Sequence, residues 1–115
     1  MNFARLSDRY SVAPQIQPTD IEFFAEQGFT VVICNRPDGE DPGQPTANSV
    51  RAACEERGIA FHMIPMSGRW VGEDTVDRFI EVVQQADGPV LGYCRSGTRS
   101  AILWQIASQK IGATR

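Results

Sequence analysis

Residues 90–100 read VLGYCRSGTRS, and this stretch joins a predicted strand to a predicted helix. Its first four residues form an apolar run of strand length, and an apolar helix is predicted from Ser100 to Lys110. Cys94 therefore follows a buried strand and precedes a helix, so the amide groups of residues 95–100 can point inward at one anion. The stretch predicts an anion-binding loop built around a cysteine.

The residue types in this loop suit a nucleophilic thiol. A cysteine reacts as its thiolate, which neighbouring positive charge and a helix N-terminus both stabilise. Arg99 can bind an oxyanion through two parallel hydrogen bonds, which a lysine cannot do. The Ser100 hydroxyl is placed to donate a hydrogen bond to the thiolate. We therefore predict Cys94, Arg99 and Ser100 as catalytic residues, and the rest of the loop as substrate-binding: Arg95, Ser96, Gly97 and Thr98.

Strands and helices alternate in the rest of the chain. Further strands are predicted at residues 10–13, 29–34 and 59–64, with helices between them. The first helix is predicted to begin with a capping box from Thr19 to Glu22. The alternation predicts an α/β fold, a small and mostly parallel sheet of four to five strands flanked by helices, with the ligand at the carboxyl ends of the strands. Residues 1–115 are long enough for one domain and one core.

Composition excludes several classes of function. A formal net charge of -3 argues against a nucleic-acid or anionic-membrane surface, because both need a basic field. No segment approaches the ~18 apolar residues of a membrane span, and residues 1–10 contain no signal-peptide run. The three cysteines show no CxxC spacing, so neither a disulfide framework nor a zinc site is predicted. We expect a cytoplasmic protein that needs no metal or organic cofactor and binds a small anion.

Two motifs carry a resemblance to a known family. The first is VICNRPDGE at residues 32–40, followed by PGQP at residues 42–45, and the second is the cysteine loop at residues 93–100. With these motifs the chain resembles the phosphatase-like domain of beta-lactamase-hydrolase-like proteins, a small bacterial family. The resemblance implies the fold of dual-specificity protein phosphatases, with the cysteine loop at the edge of the sheet. Members also occur fused to metallo-beta-lactamase-like domains or near sulfide-oxidising enzymes, which implies a sulfur context as an alternative.

The sequence departs from cysteine phosphatases at two points. Four residues separate Cys94 from Arg99 where those phosphatases carry five, and the shorter spacing is shared with rhodanese sulfurtransferases. The region after the third strand, where the resemblance implies an acidic proton donor, reads IPMSGRW and holds no carboxylate. Asp38 in the preceding loop and Asp74 at the start of the next helix, beside Glu73, are the alternative acids. Arg36 is a further candidate for binding the substrate at the mouth of the site.

Three functions follow from this pattern. The first is a phosphatase-like hydrolase that acts through a phosphocysteine on Cys94. The second is a rhodanese-like sulfurtransferase that carries a persulfide on Cys94 and needs no strong acid. The third is a domain that binds an oxyanion or a partner without turnover. The expected partner is thus a small anionic substrate, or a phosphorylated or persulfidated molecule.

Overall fold

The computed structural model describes residues 2–113 and contains one five-stranded sheet. The strands are short: β1 (Ala4–Arg5), β2 (Tyr10–Ala13), β3 (Val31–Cys34), β4 (Ala60–Met63) and β5 (Val90–Tyr93). Four α-helices connect or follow them: α1 (Ile21–Glu26), α2 (Ala47–Glu56), α3 (Glu73–Gln85) and α4 (Thr98–Ala113). Strands and helices thus alternate along the chain as the sequence predicts.

The strand order in the sheet is β1-β2-β5-β3-β4. β2, β5, β3 and β4 pair in parallel, whereas β1 pairs with β2 in the antiparallel direction. All four residues of the central strand β5 are buried. The predicted small, mostly parallel sheet is confirmed. β1 was not predicted, because two exposed residues carry no hydrophobic pattern.

The side chains of the sheet form a core on each of its faces. In β3, Val32 and Cys34 pack against α1 and α2, while Val31 and Ile33 pack on the other side with residues of α3 and α4. This alternation buries β3 on both faces, as expected for an inner strand of a parallel sheet. β5 lies beside β3 and is the third of the five strands, so the loop that follows it begins at the centre of the sheet. Within residues 2–113, no helix is both long and apolar enough to cross a membrane.

The start of the first helix differs from the predicted capping box. A short 3-10 turn, Pro18–Asp20, precedes α1, and the Asp20 carboxylate accepts a hydrogen bond from the Gln17 amide at 2.8 Å. Proline is favoured in the first turn of a helix because it has no amide hydrogen to leave unpaired. Pro18 therefore begins the helical path before Thr19, and Asp20 serves the role that was predicted for Glu22. At the start of α2, Thr46 Oγ1 accepts a hydrogen bond from the Ser49 amide at 3.1 Å and so caps the helix.

Gly92 makes room for the hydroxyl of Tyr10. A Cβ atom at position 92 would lie 1.9 Å from that hydroxyl, and the Tyr10 ring is fixed by Phe79 and Trp104, with centroids 5.2 Å and 4.9 Å away. Gly92→Ala should therefore lower the free energy of unfolding by about 1–3 kcal/mol through overpacking. Urea denaturation measures the loss. Gly68→Ala is the matched control, since a Cβ there meets nothing within 4 Å. Equal stability of the two variants would contradict this packing account.

Candidate active site

The loop after β5 folds back around the sulfur of Cys94. The Gly97 amide donates to Cys94 Sγ at 3.1 Å, and Gly97 has a φ of +94°. Residues other than glycine rarely adopt that backbone conformation. Glycine at position 97 therefore allows the loop to turn its amide toward the sulfur. α4 begins at the next residue, Thr98, and the amides of Arg99 and Ser100 in its first turn bond to the sulfur. Cys94 itself is fully buried, with 0% of its surface exposed.

The surroundings of Cys94 favour its thiolate. Burial alone would raise the pKa of Cys94, but hydrogen bonds from the amide and hydroxyl of Ser100 and from the amides of Gly97 and Arg99 outweigh it. The pKa of Cys94 is therefore lowered from its ordinary value. By contrast, burial raises the pKa of Cys34, and it raises that of Cys54 to about 12. Of the three thiols, only Cys94 is held in surroundings that activate it.

Ser100 lies behind the thiol and is held by a buried asparagine. Ser100 Oγ donates to Asn35 Oδ1 at 2.8 Å, and Asn35 Nδ2 donates to the Ile64 carbonyl at 2.8 Å. Ser100 and Asn35 both have no exposed surface. The bond to Ile64 fixes which way the amide of Asn35 points, so its oxygen faces Ser100. The Ser100 hydroxyl, which carries one proton, thus lies between two acceptors, Asn35 Oδ1 and the Cys94 thiolate.

Arg99 is oriented by Glu40. Arg99 Nη1 donates to Glu40 Oε2 at 2.8 Å and to the Met66 carbonyl at 2.7 Å, while Nη2 donates to Glu40 Oε1 at 2.8 Å. These hydrogen bonds from Arg99 are the main cause that lowers the pKa of Glu40 to about 2. In turn, Glu40 raises the pKa of Arg99, with a further contribution from Cys94. Both terminal nitrogens of Arg99 are therefore fixed, and its guanidinium stays beside the thiol.

Arg36 is not at the mouth of the site, contrary to the prediction from sequence. Only 3% of its surface is exposed, because its guanidinium lies among three acceptors. Nε donates to Glu40 at 2.9 Å, Nη1 to Gln15 at 3.0 Å and Nη2 to Asp41 at 2.7 Å. A buried guanidinium is tolerated only when its donors are satisfied, as they are here. Arg36 therefore holds the two carboxylates in place instead of facing a substrate.

A cavity of about 450 Å³ opens above the cysteine loop, and its lining comprises Glu40, Asp41, Ser67, Gly68, Arg95 and Arg99. Arg95, whose side chain is 68% exposed, donates from Nε to Asp41 at 3.0 Å. Ser96 and Thr98 are exposed on the loop, and their hydroxyls bond to each other at 3.0 Å. Of the predicted binding residues, the structure thus brings Arg95 together with Arg99 at the cavity.

Asp38 and Asp74, the two aspartates suggested as acids, make their contacts away from the cysteine loop. Asp38 Oδ1 accepts a hydrogen bond from the Ala47 amide at 2.8 Å, so its carboxylate is engaged at the start of α2. Asp74 is exposed in the first turn of α3, where its neighbour Glu73 pairs with Lys110 at 3.4 Å. Lys110 lies about 18 Å along α4 from Thr98, given a rise of about 1.5 Å per residue. That contact places the first turn of α3 beside the far half of α4, away from the cysteine loop.

Three functional side chains were missed in the sequence: Asn35, Glu40 and Asp41. They follow β3, whose carboxyl end lies beside the carboxyl end of β5 in the parallel sheet. The rule that ligand sites form at adjacent strand ends points to the loop after β3, but it does not select these side chains among the polar residues of that loop. Within residues 2–113, no three side chains of the types His, Cys, Asp and Glu are grouped as metal ligands.

The lowered pKa of Cys94 gives a prediction for pH dependence. A thiol with a lowered pKa stays ionised above that value and becomes protonated only as the pH falls through it. We expect Cys94-dependent activity to be lost with falling pH as the thiolate is protonated, at a lower pH than an unperturbed cysteine would give. The titration is read from ultraviolet thiolate absorbance, as the difference between the wild-type protein and Cys94→Ser. A difference titration no lower than that of a free cysteine, ~8.5, would contradict the prediction.

Comparison with known proteins places this site in a phosphatase-like context. The Beta-lactamase hydrolase-like protein of Agrobacterium fabrum is 35% identical over 104 residues, which are 90% of this chain and 24% of that protein. The chain thus spans about a quarter of the length of this relative. The crystal structure of a candidate phosphatase from Neisseria meningitidis is 36% identical, with a TM-score of 0.82 over 90% of this chain and 74% of that one.

A more distant structure supports the fold. The core catalytic domain of the PP-IP phosphatase Siw14 from S. cerevisiae has a TM-score of 0.65 at 18% identity, over 84% of this chain and 57% of that one. Together with the Neisseria structure, it confirms the predicted cysteine-phosphatase-like fold. Residues 2–111 match the family described as beta-lactamase hydrolase-like protein, phosphatase-like domain. The chain therefore belongs to the phosphatase-like domain family of beta-lactamase hydrolase-like proteins.

Proposed function

We propose that this chain is a cysteine-dependent hydrolase of phosphate esters or anhydrides, with Cys94 as the nucleophile. One observation carries the proposal: the Cys94 thiol has a lowered pKa because loop amides and Ser100 surround its sulfur. The same amides and Arg99 would bind the oxygens of a transferring phosphoryl group, where charge increases in the transition state. Membership of a phosphatase-like family supports phosphorus as the centre that is attacked.

The reaction proceeds in two steps. In the first, the Cys94 thiolate attacks phosphorus, so that an S–P bond forms while the bond from phosphorus to the leaving oxygen breaks, and the oxygen keeps the electron pair. In the second, water attacks the phosphocysteine, an O–P bond forms and the S–P bond breaks. The phosphate leaves with both protons of that water, and the thiolate is restored.

Ser100 acts in the second step. As the S–P bond breaks, negative charge returns to the Cys94 sulfur, and a hydroxyl that turns from Asn35 to the sulfur would stabilise it. Asn35 keeps that hydroxyl in place while the sulfur is bonded to phosphorus and cannot accept strongly. The hydrogen bond of 2.8 Å between Ser100 and Asn35 supports this role.

The test compares two reactions of the same purified protein. Phosphate release from 4-nitrophenyl phosphate is measured beside thiocyanate formation from thiosulfate and cyanide, with Cys94→Ser as the blank in both. The proposal predicts phosphate release that the variant does not share. Cys94-dependent thiocyanate without phosphate would contradict it, and so would the absence of both products. The absence of both products would leave the third function, an oxyanion-binding loop without turnover. The full burial of Cys94 is the observation that favours this alternative.

Sulfur transfer is the second candidate, and the loop length favours it. Four residues lie between Cys94 and Arg99, a spacing shared with rhodanese sulfurtransferases. In this reaction the thiolate attacks the outer sulfur of thiosulfate, an S–S bond forms and sulfite leaves with the electron pair. The resulting persulfide passes its outer sulfur to an acceptor such as cyanide, and the thiolate returns. Neither step needs a proton from a carboxylic acid.

A further inference from the structure

We propose that the phosphoryl donors of this site are activated ones, such as acyl phosphates or phosphoanhydrides, whose leaving group departs as a stable anion. This inference rests on the proposed function and specifies its substrate class. It follows from the state of the carboxylates around the cysteine loop. The two at the cavity, Glu40 and Asp41, are bonded to guanidinium groups, and the others lie away from it.

Glu40 lies nearest to the catalytic arginine, but its two oxygens are fully engaged. They accept from both terminal nitrogens of Arg99 at 2.8 Å, and Oε1 also accepts from Arg36 Nε at 2.9 Å. The low pKa of Glu40, about 2, follows from these bonds. Glu40 therefore carries no proton at neutral pH and cannot act as an acid.

Asp41 is the other carboxylate at the cavity, and one of its two oxygens is engaged by guanidinium groups. Its Oδ2 accepts from Arg36 Nη2 at 2.7 Å and from Arg95 Nε at 3.0 Å. Hydrogen bonds between a guanidinium group and a carboxylate are among the stronger hydrogen bonds in proteins. Asp41 thus serves as an acceptor that ties Arg95 to the buried Arg36.

The remaining acidic or basic groups lie away from the cavity or are held elsewhere. Asp38 is bonded to the start of α2, and the first turn of α3, which includes Asp74, packs toward Lys110. The segment between β4 and α3, residues 64–72, contains no carboxylate, and its Met66 carbonyl is bonded to Arg99. His62 lines a different groove, together with Thr30 and Asp87. That groove lies near the amino ends of β3 and β4, whereas the cysteine loop follows the carboxyl end of β5.

The chemistry of the leaving group then decides which substrates react. When the P–O bond breaks, the electron pair stays on the leaving oxygen. An alkoxide is too basic to leave without a proton, whereas a carboxylate, a phosphate or a nitrophenolate is stable as an anion. A well-placed general acid contributes typically 10²–10⁴-fold to such a step. A site without one should lose that factor for basic leaving groups and keep its rate for activated donors.

The experiment compares kcat/KM of the wild-type protein for acetyl phosphate, 4-nitrophenyl phosphate, phenyl phosphate and O-phosphoserine. The phenolate of phenyl phosphate is as basic as that of tyrosine, with a pKa of ~10. We expect phenyl phosphate to react at least about 100-fold more slowly than 4-nitrophenyl phosphate, acetyl phosphate to be hydrolysed, and phosphoserine to release nothing measurable. A ratio between the two aryl phosphates well below that value, or clear turnover of phosphoserine, would overturn the inference.

Three variants complete the test: Asp38→Asn, Asp41→Asn and Asp74→Asn. For each variant we compare the ratio of kcat/KM for 4-nitrophenyl phosphate to kcat/KM for phenyl phosphate. A purely structural effect lowers both values and leaves their ratio unchanged. The inference predicts the wild-type ratio in all three. A variant that slows phenyl phosphate selectively would identify that aspartate as the acid and overturn the inference alone. If the wild-type protein releases phosphate from none of the donors, the proposed function fails and this inference fails with it.

Discussion

Replacing Cys94 with serine should lower kcat for 4-nitrophenyl phosphate by at least about 10⁴-fold, as loss of a catalytic nucleophile does in other enzymes. The amides around Cys94 stabilise a thiolate, but the same amides cannot ionise a serine hydroxyl at neutral pH, because its pKa is far higher. The variant keeps a small polar group at the same place, and that group can still accept from the Gly97 amide. Phosphate release at saturating substrate is the measurement.

The control for this variant is a thiol that lies in the core. Cys54 is buried in α2, and burial raises its pKa to about 12. Cys54→Ala should lose stability through the cavity it leaves, but at a temperature where it stays folded its kcat should remain close to wild type. Comparable activity of Cys94→Ser and the wild-type protein would show that catalysis does not go through Cys94.

Arg99→Lys should reduce kcat by about 10²–10³-fold, the usual effect of removing one group that binds the charged oxygens of a transition state. Lysine keeps the positive charge but offers a single ammonium group in place of a planar fork. It cannot bond both oxygens of Glu40, reach the Met66 carbonyl and still face the thiol. Because the contact matters most when charge builds on the phosphoryl group, kcat should fall more than KM rises.

Arg95→Lys is the matched control for that substitution. Arg95 belongs to the same loop and lines the same cavity. Its side chain is 68% exposed, however, and its Nε forms an ion pair with Asp41 and not with Glu40. Exposed ion pairs contribute little, so kcat should change by less than about tenfold. Equal losses in the two variants would contradict a special role for the geometry of Arg99.

The cysteine loop was predictable because its chemistry is local. Cys94, Gly97 and Arg99 lie within six consecutive positions, between a strand and a helix that the hydrophobic pattern predicts. The strand ends and the helix caps were less predictable. Pro18 starts the first helix earlier than the expected cap, and β1 consists of two exposed residues that become a strand only by pairing with β2.

The partners of the loop were not predictable, because the fold brings them from a distant segment. Glu40 precedes Arg99 by 59 residues, and no local pattern selects it over other acidic residues of the chain. Arg36 illustrates the same limit. An arginine in a loop is normally expected at the surface, and this one is buried only because Gln15, Glu40 and Asp41 converge on it. The sequence therefore predicts the nucleophile, while only the tertiary structure identifies the residues that orient its arginine.

The proposal that Cys94 forms a phosphocysteine is tested most directly by trapping that intermediate. The wild-type protein is mixed with acetyl phosphate or 4-nitrophenyl phosphate, quenched in alkali during turnover, digested, and analysed by mass spectrometry of the peptide that contains Cys94. The account predicts one phosphoryl group on Cys94, absent from Cys34 and Cys54. An unmodified Cys94 in samples quenched while phosphate is still being released would contradict it.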